Sequence, residues 1–176
     1  MKIISEVTFK KVCIGYFFIS VMISLLIPSG ISIEGYLPLP VEYIPFANYV
    51  VTVPGHLNSV SLYFLIMWTL FPLIFTILAL RPQKIPAETV PSSPAKLVFA
   101  TLVAFTIFAV VCKAAYLDIS NFEPSSRGIA LLLLMAQYKM GLGTIGGVFM
   151  LTSVLAAHMA LFLVPKLWYS YSTSTR

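Results

Sequence analysis

A chain of 176 residues that is 59% hydrophobic and only 10% charged, with a mean hydropathy of +0.96, lacks the polar side chains needed to cover a soluble globule. The expectation is a single all-α membrane domain. The net charge of +5 does not point to nucleic acid, because the eleven Lys and Arg are scattered and mostly flank apolar runs, where they set topology.

In chain order, Lys2, Lys10 and Lys11 precede an apolar stretch over 12–27, and Pro28, Ser29 and Gly30 end it. No A-x-A-like cleavage site follows, so the spacing predicts an uncleaved signal anchor over 12–30 that starts on the inner side. Residues 31–59 carry Pro38, Pro40, Pro45 and Pro54, several tyrosines, and the acids Glu34 and Glu42, but no Lys or Arg. This is expected to be an outer loop lying against the bilayer surface, with too much proline for a regular helix or central strand.

The second span is predicted over 60–80, where Pro72 removes a helical donor and Thr69 or Ser61 is available to satisfy the carbonyl it frees. Residues 81–96 contain Arg81, Lys84 and Lys96 and the prolines Pro82, Pro86, Pro91 and Pro94, which makes a stiff inner connector. A third span follows over 97–116. Lys113, one turn inside its outer boundary, is costly there unless it snorkels or pairs, and Asp118 lies close by in sequence.

The chain is organised around 128–164, an almost unbroken apolar run interrupted by Gln137, Lys139 and the glycines Gly141, Gly143, Gly146 and Gly147. As one helix it would measure about 55 Å, far beyond a hydrocarbon core of about 30 Å. The economical division is a fourth span over 144–165, preceded by a shorter apolar helix over 128–140 that docks on its neighbours or lies at the interface, with 117–143 as the second outer loop. Gly141-Leu142-Gly143-Thr144-Ile145-Gly146 formally fits G-x-G-x-x-G, but the strand and soluble β-α-β context of a dinucleotide site are missing. Two structural readings of the cluster remain open. Gly143 and Gly147 form a small-residue face for close helix contact, or the glycines mark a bend. The tail, with Lys166, Trp168, Tyr169, Tyr171 and Arg176, returns to the inner side. The layout is four spans with both ends inside.

Residues that carry chemistry are sparse. Cys13 and Cys112 lie inside predicted spans and are not placed for a disulfide; His56 and His158 lie at different depths and do not make a haem pair. His158 reads as a packing histidine. All six acids fall at ends or in loops, and Ser20, Ser24 and Thr152 have no evident base. The expectation is a non-enzymatic protein with no catalytic residues, no cofactor and no metal, in contact with membrane lipid and another membrane-inserted protein.

The loop Asn121-Phe122-Glu123-Pro124-Ser125-Ser126-Arg127-Gly128 resembles that of the four-span immunity proteins against colicin A and colicin B, where Asn, Phe or Leu, Glu, an apolar residue, two Thr, a variable residue and Gly occur between the third and fourth spans. The resemblance extends to the layout: a long first outer loop, a proline in the second span and a short inner connector. It implies a protein of the bacterial inner membrane that binds the apolar helices of a pore-forming toxin within the bilayer and keeps the channel closed. The partner-binding residues are then expected to be Lys113, Asp118, Asn121, Phe122, Glu123 and Arg127 at the outer mouth, with Gly143 and Gly147 allowing close helix approach. A plasmid or phage exclusion protein, or a small accessory or scaffold subunit of a larger membrane complex, has the same anatomy.

Overall fold

The computed structural model describes residues 9–31, 43–51, 55–80, 91, 93–116 and 127–174, without the side chains of 9, 48, 49, 127–129 and 174; these described residues form helices and connections, with no strand among them. Three helices are long and apolar enough to cross a membrane: Val60–Leu80, Pro94–Ala114 and Lys139–Thr173.

Helix α1, Phe9–Leu26, buries Tyr16, Ser20 and Ser24 on one face, while Phe18, Met22 and Leu26 are exposed. The buried positions recur every four residues, which keeps them on one side of a helix. The amide of Ile27 closes the last turn on the Ile23 carbonyl, and Pro28 then disfavours a further helical residue before it.

Within the expected outer loop, residues 43–51 pack into the bundle. Ile44, Phe46, Ala47 and Val50 are buried, and Ala47–Val51 forms a single-turn helix, α2. The prolines limit regular structure here without preventing burial.

Helix α3, Val60–Leu80, has the predicted bounds and continues through Pro72. The Thr69 hydroxyl donates to the Ile66 carbonyl at 2.6 Å, so it does not serve the Trp68 carbonyl four residues before the proline. Helix α4, Pro94–Ala114, starts three residues before the predicted span. Ser93 is extended at φ −145° and ψ 152°, its hydroxyl accepts from the Lys96 amide at 3.4 Å, and Pro94 takes the first helical position, where no donor is needed. Its packing face is narrow: Leu97 and Ala104 are buried, while Val98, Phe99, Leu102 and Val110 are exposed.

Helix α5, Arg127–Gln137, is about 16 Å long at 1.5 Å per residue, too short to cross, and docks on its neighbours through Met135 and Ala136. The chain then turns at Tyr138, whose φ of −124° and ψ of 130° are extended, and helix α6 begins at Lys139. The bend therefore sits at Tyr138. Only Gly141 of the cluster takes part, since a Cβ there would run into the Leu134 carbonyl.

Helix α6, Lys139–Thr173, is 35 residues and about 52 Å long, so it runs past both ends of the predicted 144–165 span. It is the centre of the bundle: half of its most apolar stretch is buried, against 11% for α4. Two wider π-helical stretches interrupt it, Leu142–Gly146 and Met159–Leu163. The second leads directly to Pro165, which has no amide hydrogen and crowds the carbonyl of Leu161.

The helices end at different heights. Helix α4 packs beside the 147–174 part of α6, whereas 139–146, about 12 Å of helix, packs against α1 and α5. The space beyond the end of α4 is filled by 43–51. The Phe46 amide donates to the Ala115 carbonyl at 2.7 Å, and the Leu57 amide to the Ala136 carbonyl at 2.8 Å.

Candidate functional site

The glycine stretch meets α1 along an antiparallel seam. A Cβ on Gly143 would lie 2.8 Å from the Val21 Cα and collide with the Ser24 hydroxyl, and one on Gly147 would collide with Ser20. Glycines four apart thus face serines four apart, so the two backbones approach closely. Gly146 faces the other way, where a Cβ would come within 2.9 Å of the Tyr63 ring.

Polar groups are tied together at this seam. The Ser20 hydroxyl lies 2.6 Å from the Gly143 carbonyl and 2.7 Å from the Tyr63 hydroxyl. Ser20 has one proton and gives it to the carbonyl, so Tyr63 donates to Ser20. Ser24 turns back on its own helix, donating to the Val21 carbonyl at 2.8 Å. A serine that donates to a carbonyl and accepts from a phenol is held as a structural bridge between α1, α3 and α6. It has no base beside it.

At the same end, the Lys139 ammonium donates to the Leu25 carbonyl at 3.4 Å. A cation there meets the partial negative charge at the α1 C-terminus. Lys139 thus caps a neighbouring helix.

Beside this seam, Phe46 is buried among aromatic rings. Its ring centroid lies 5.5 Å from Phe149, 5.9 Å from Phe64 and 6.4 Å from Trp68. The Trp68 indole donates to the Pro45 carbonyl at 3.1 Å. Phe46 holds a φ of 67°, in the left-handed region that bulky side chains avoid. The aromatic cluster compensates that strain by filling space between α3 and α6.

Of the residues expected to contact a partner, Gly143 and Gly147 are buried against α1 and so engage a helix of this chain. Lys113 is exposed in the last turn of α4, next to the Ala115 carbonyl that receives Phe46. Arg127 is the first residue of α5. Asp118, Asn121, Phe122 and Glu123 lie outside the described residues. The structure therefore separates the glycines, which belong to an internal crossing, from Lys113, which stands at a rim.

His158 is buried near the other end, stacked on Phe162 at 5.4 Å and edge-on to Phe75 at 6.2 Å. His56, before the start of α3, is separated from it by much of that helix. Cys13 and Cys112 are both free. No group of three or more potential metal-binding His, Cys, Asp or Glu side chains occurs among the described residues.

Ser20, Tyr63, Phe46 and Trp68 were not singled out as site residues from the sequence. For Ser20 a signal existed, since Ser20 and Ser24 share the four-residue spacing of Gly143 and Gly147. For Phe46 no signal existed, because nothing in a Pro-Phe-Ala stretch specifies a left-handed phenylalanine. No family model, curated protein or solved structure matches this chain.

Proposed function

We propose that the chain is a four-span immunity protein of the bacterial inner membrane, which binds the inserted helices of a pore-forming toxin and blocks channel opening. In this reading α1 is the fourth crossing helix; its 18 residues measure about 27 Å, close to the hydrocarbon thickness. Both ends and 81–96 are cytoplasmic, which puts Lys2, Lys10, Lys11, Arg81, Lys84, Lys96, Lys166 and Arg176 on the inner side.

The observation that carries the proposal is the sequence Asn121-Phe122-Glu123-Pro124-Ser125-Ser126-Arg127-Gly128 between α4 and α5, which resembles the corresponding loop of the immunity proteins against colicin A and colicin B. An incoming helix would meet the charges of Lys113, Asp118, Glu123 and Arg127 first, and these would orient it. The glycine face has a different part: it keeps α1 and α6 together as the surface against which the toxin is held.

The test is expression in a sensitive bacterium challenged with a panel of pore-forming toxins. Survival against at least one toxin is expected, with loss of protection but normal membrane insertion on charge reversal of Asp118 and Glu123. Absence of protection across a broad panel overturns the proposal. The exposed apolar face of α4 favours a second reading, an accessory subunit of a larger membrane complex. Failure of such a complex to assemble in a deletion strain would support it.

A further inference from the structure

Helices α4 and α6 run antiparallel. Ala115 and Phe149 both meet Phe46 at one end, and at the other the Trp168 indole donates to the Thr101 hydroxyl at 2.9 Å. Thr101 in turn donates to the Leu97 carbonyl at 2.9 Å, so the indole edge is held on α4 by a hydroxyl that is itself fixed. An interfacial tryptophan ordinarily turns its N–H to the polar layer of the bilayer. Here that donor is engaged within the protein, and the exposed ring stands as an apolar wall beside α4.

Two cations flank this contact. Lys96 is exposed in the first turn of α4, five residues before Thr101, and Lys166 is half-buried on α6, two residues before Trp168. In an antiparallel pair these offsets separate their Cα atoms by about 10 Å along the axis at 1.5 Å per residue, a gap that two flexible four-carbon stems close from either side. No Asp or Glu occurs in either helix. The positive start of α4 and the negative end of α6 lie at the same end and oppose one another, so the lysines set the sign of the charge there. Beside Lys96 the outward face of α4 is apolar, with Val98, Phe99 and Leu102 exposed.

We propose that Lys96 and Lys166 bind one anionic glycerophospholipid at this end of the bundle. Its phosphate lies between the two ammonium groups, and its acyl chains run along Phe99 and Leu102 beside the Trp168 ring. A zwitterionic headgroup would bring its own cation against the lysines, so the site selects net negative charge. The inference needs α4 and α6 to lie in a bilayer and does not depend on toxin binding.

The test uses the full chain in nanodiscs with Trp68→Phe, which leaves Trp168 as the one tryptophan. The probe is phosphatidylglycerol with brominated, quenching acyl chains, diluted into phosphatidylcholine, and brominated phosphatidylcholine at the same fraction is the reference. Stronger quenching of Trp168 by phosphatidylglycerol is expected, from a local enrichment of about fivefold per lysine. Lys96→Gln with Lys166→Gln should abolish the excess. Lys96→Arg with Lys166→Arg should retain it, as should Lys10→Gln with Lys11→Gln at the exposed start of α1. Should Trp68→Phe fail to fold, native mass spectrometry of the unaltered chain and the same lysine variants reads the ratio of the two retained lipids directly. Equal signals from the two lipids, an excess that survives the paired Gln variant at 96 and 166, or one lost equally in the variant at 10 and 11 would show a contact set by bulk lipid composition or overall charge. Any of these would overturn the inference.

Discussion

At the scale of single residues, the same amino acid has opposite consequences according to what its missing Cβ would meet. Gly143 and Gly147 stand against Val21, Ser24 and Ser20, whereas Gly15 has nothing within 4 Å. Gly143→Leu and Gly147→Leu should each lower stability by about 1–3 kcal/mol or more, the cost of overpacking, in thermal unfolding in detergent. Gly15→Ala should be neutral or stabilising by up to about 1 kcal/mol through helix propensity. A stable Leu variant at both seam positions would show that α1 does not pack there. The two buried tyrosines give a similar contrast. Tyr63→Phe removes the donor to Ser20 and should cost about 1 kcal/mol, whereas the Tyr16 hydroxyl makes no hydrogen bond among the described residues and Tyr16→Phe should not destabilise. The same unfolding measurement checks both. The glycine face was legible in the sequence because its four-residue spacing is also its geometry. The serines opposite were visible as hydroxyls, but which helix they face depends on tertiary packing.

At the scale of elements, boundaries were legible where local chemistry dictates them and were lost where two signals competed. The bounds of α3 follow from an apolar run between polar flanks. Helix α4 begins earlier than hydropathy suggests because Ser93 and Pro94 form a start signal inside what otherwise reads as a proline spacer. The bend before α6 was sought in the glycines and lies at Tyr138, where the turn of α5 onto its neighbours is decided by contacts distant in sequence. At the far end of α6, Pro165 reads as a terminator, yet the helix absorbs it by widening to a π register just before. Pro165→Ala restores the missing amide donor, so the stretch should return to α geometry. Slower amide hydrogen exchange over 159–165 is the expected outcome, and unchanged exchange would assign the π register to packing around His158 and Ala160.

At the scale of the whole molecule, composition was enough to identify helices long and apolar enough to cross a membrane, because apolar length is a local property. The insertion of 43–51 was not legible, because it is determined by the shortness of α4 relative to α6. Topology follows from charge, so reporter fusions at Ser92 and Ser126 should report opposite sides of the membrane; the same side for both would sink the four-span proposal. The unequal helix ends have a consequence for the lipid around the protein. At 21 residues, about 32 Å, α4 matches a hydrocarbon core of about 30 Å, whereas α6, at about 52 Å, exceeds it and reaches about 12 Å beyond the end of α4. Under the four-span proposal the extra length of α6 at that end would stand among the headgroups, level with the rim that carries Lys113. A lysine that looks too deep when counted along its own span is then at the water boundary. A fluorophore on the neighbouring exposed Cys112, with Cys13→Ser, should accordingly be quenched best by headgroup-level quenchers, and deep acyl-chain quenching would place the end of α4 inside the hydrocarbon core.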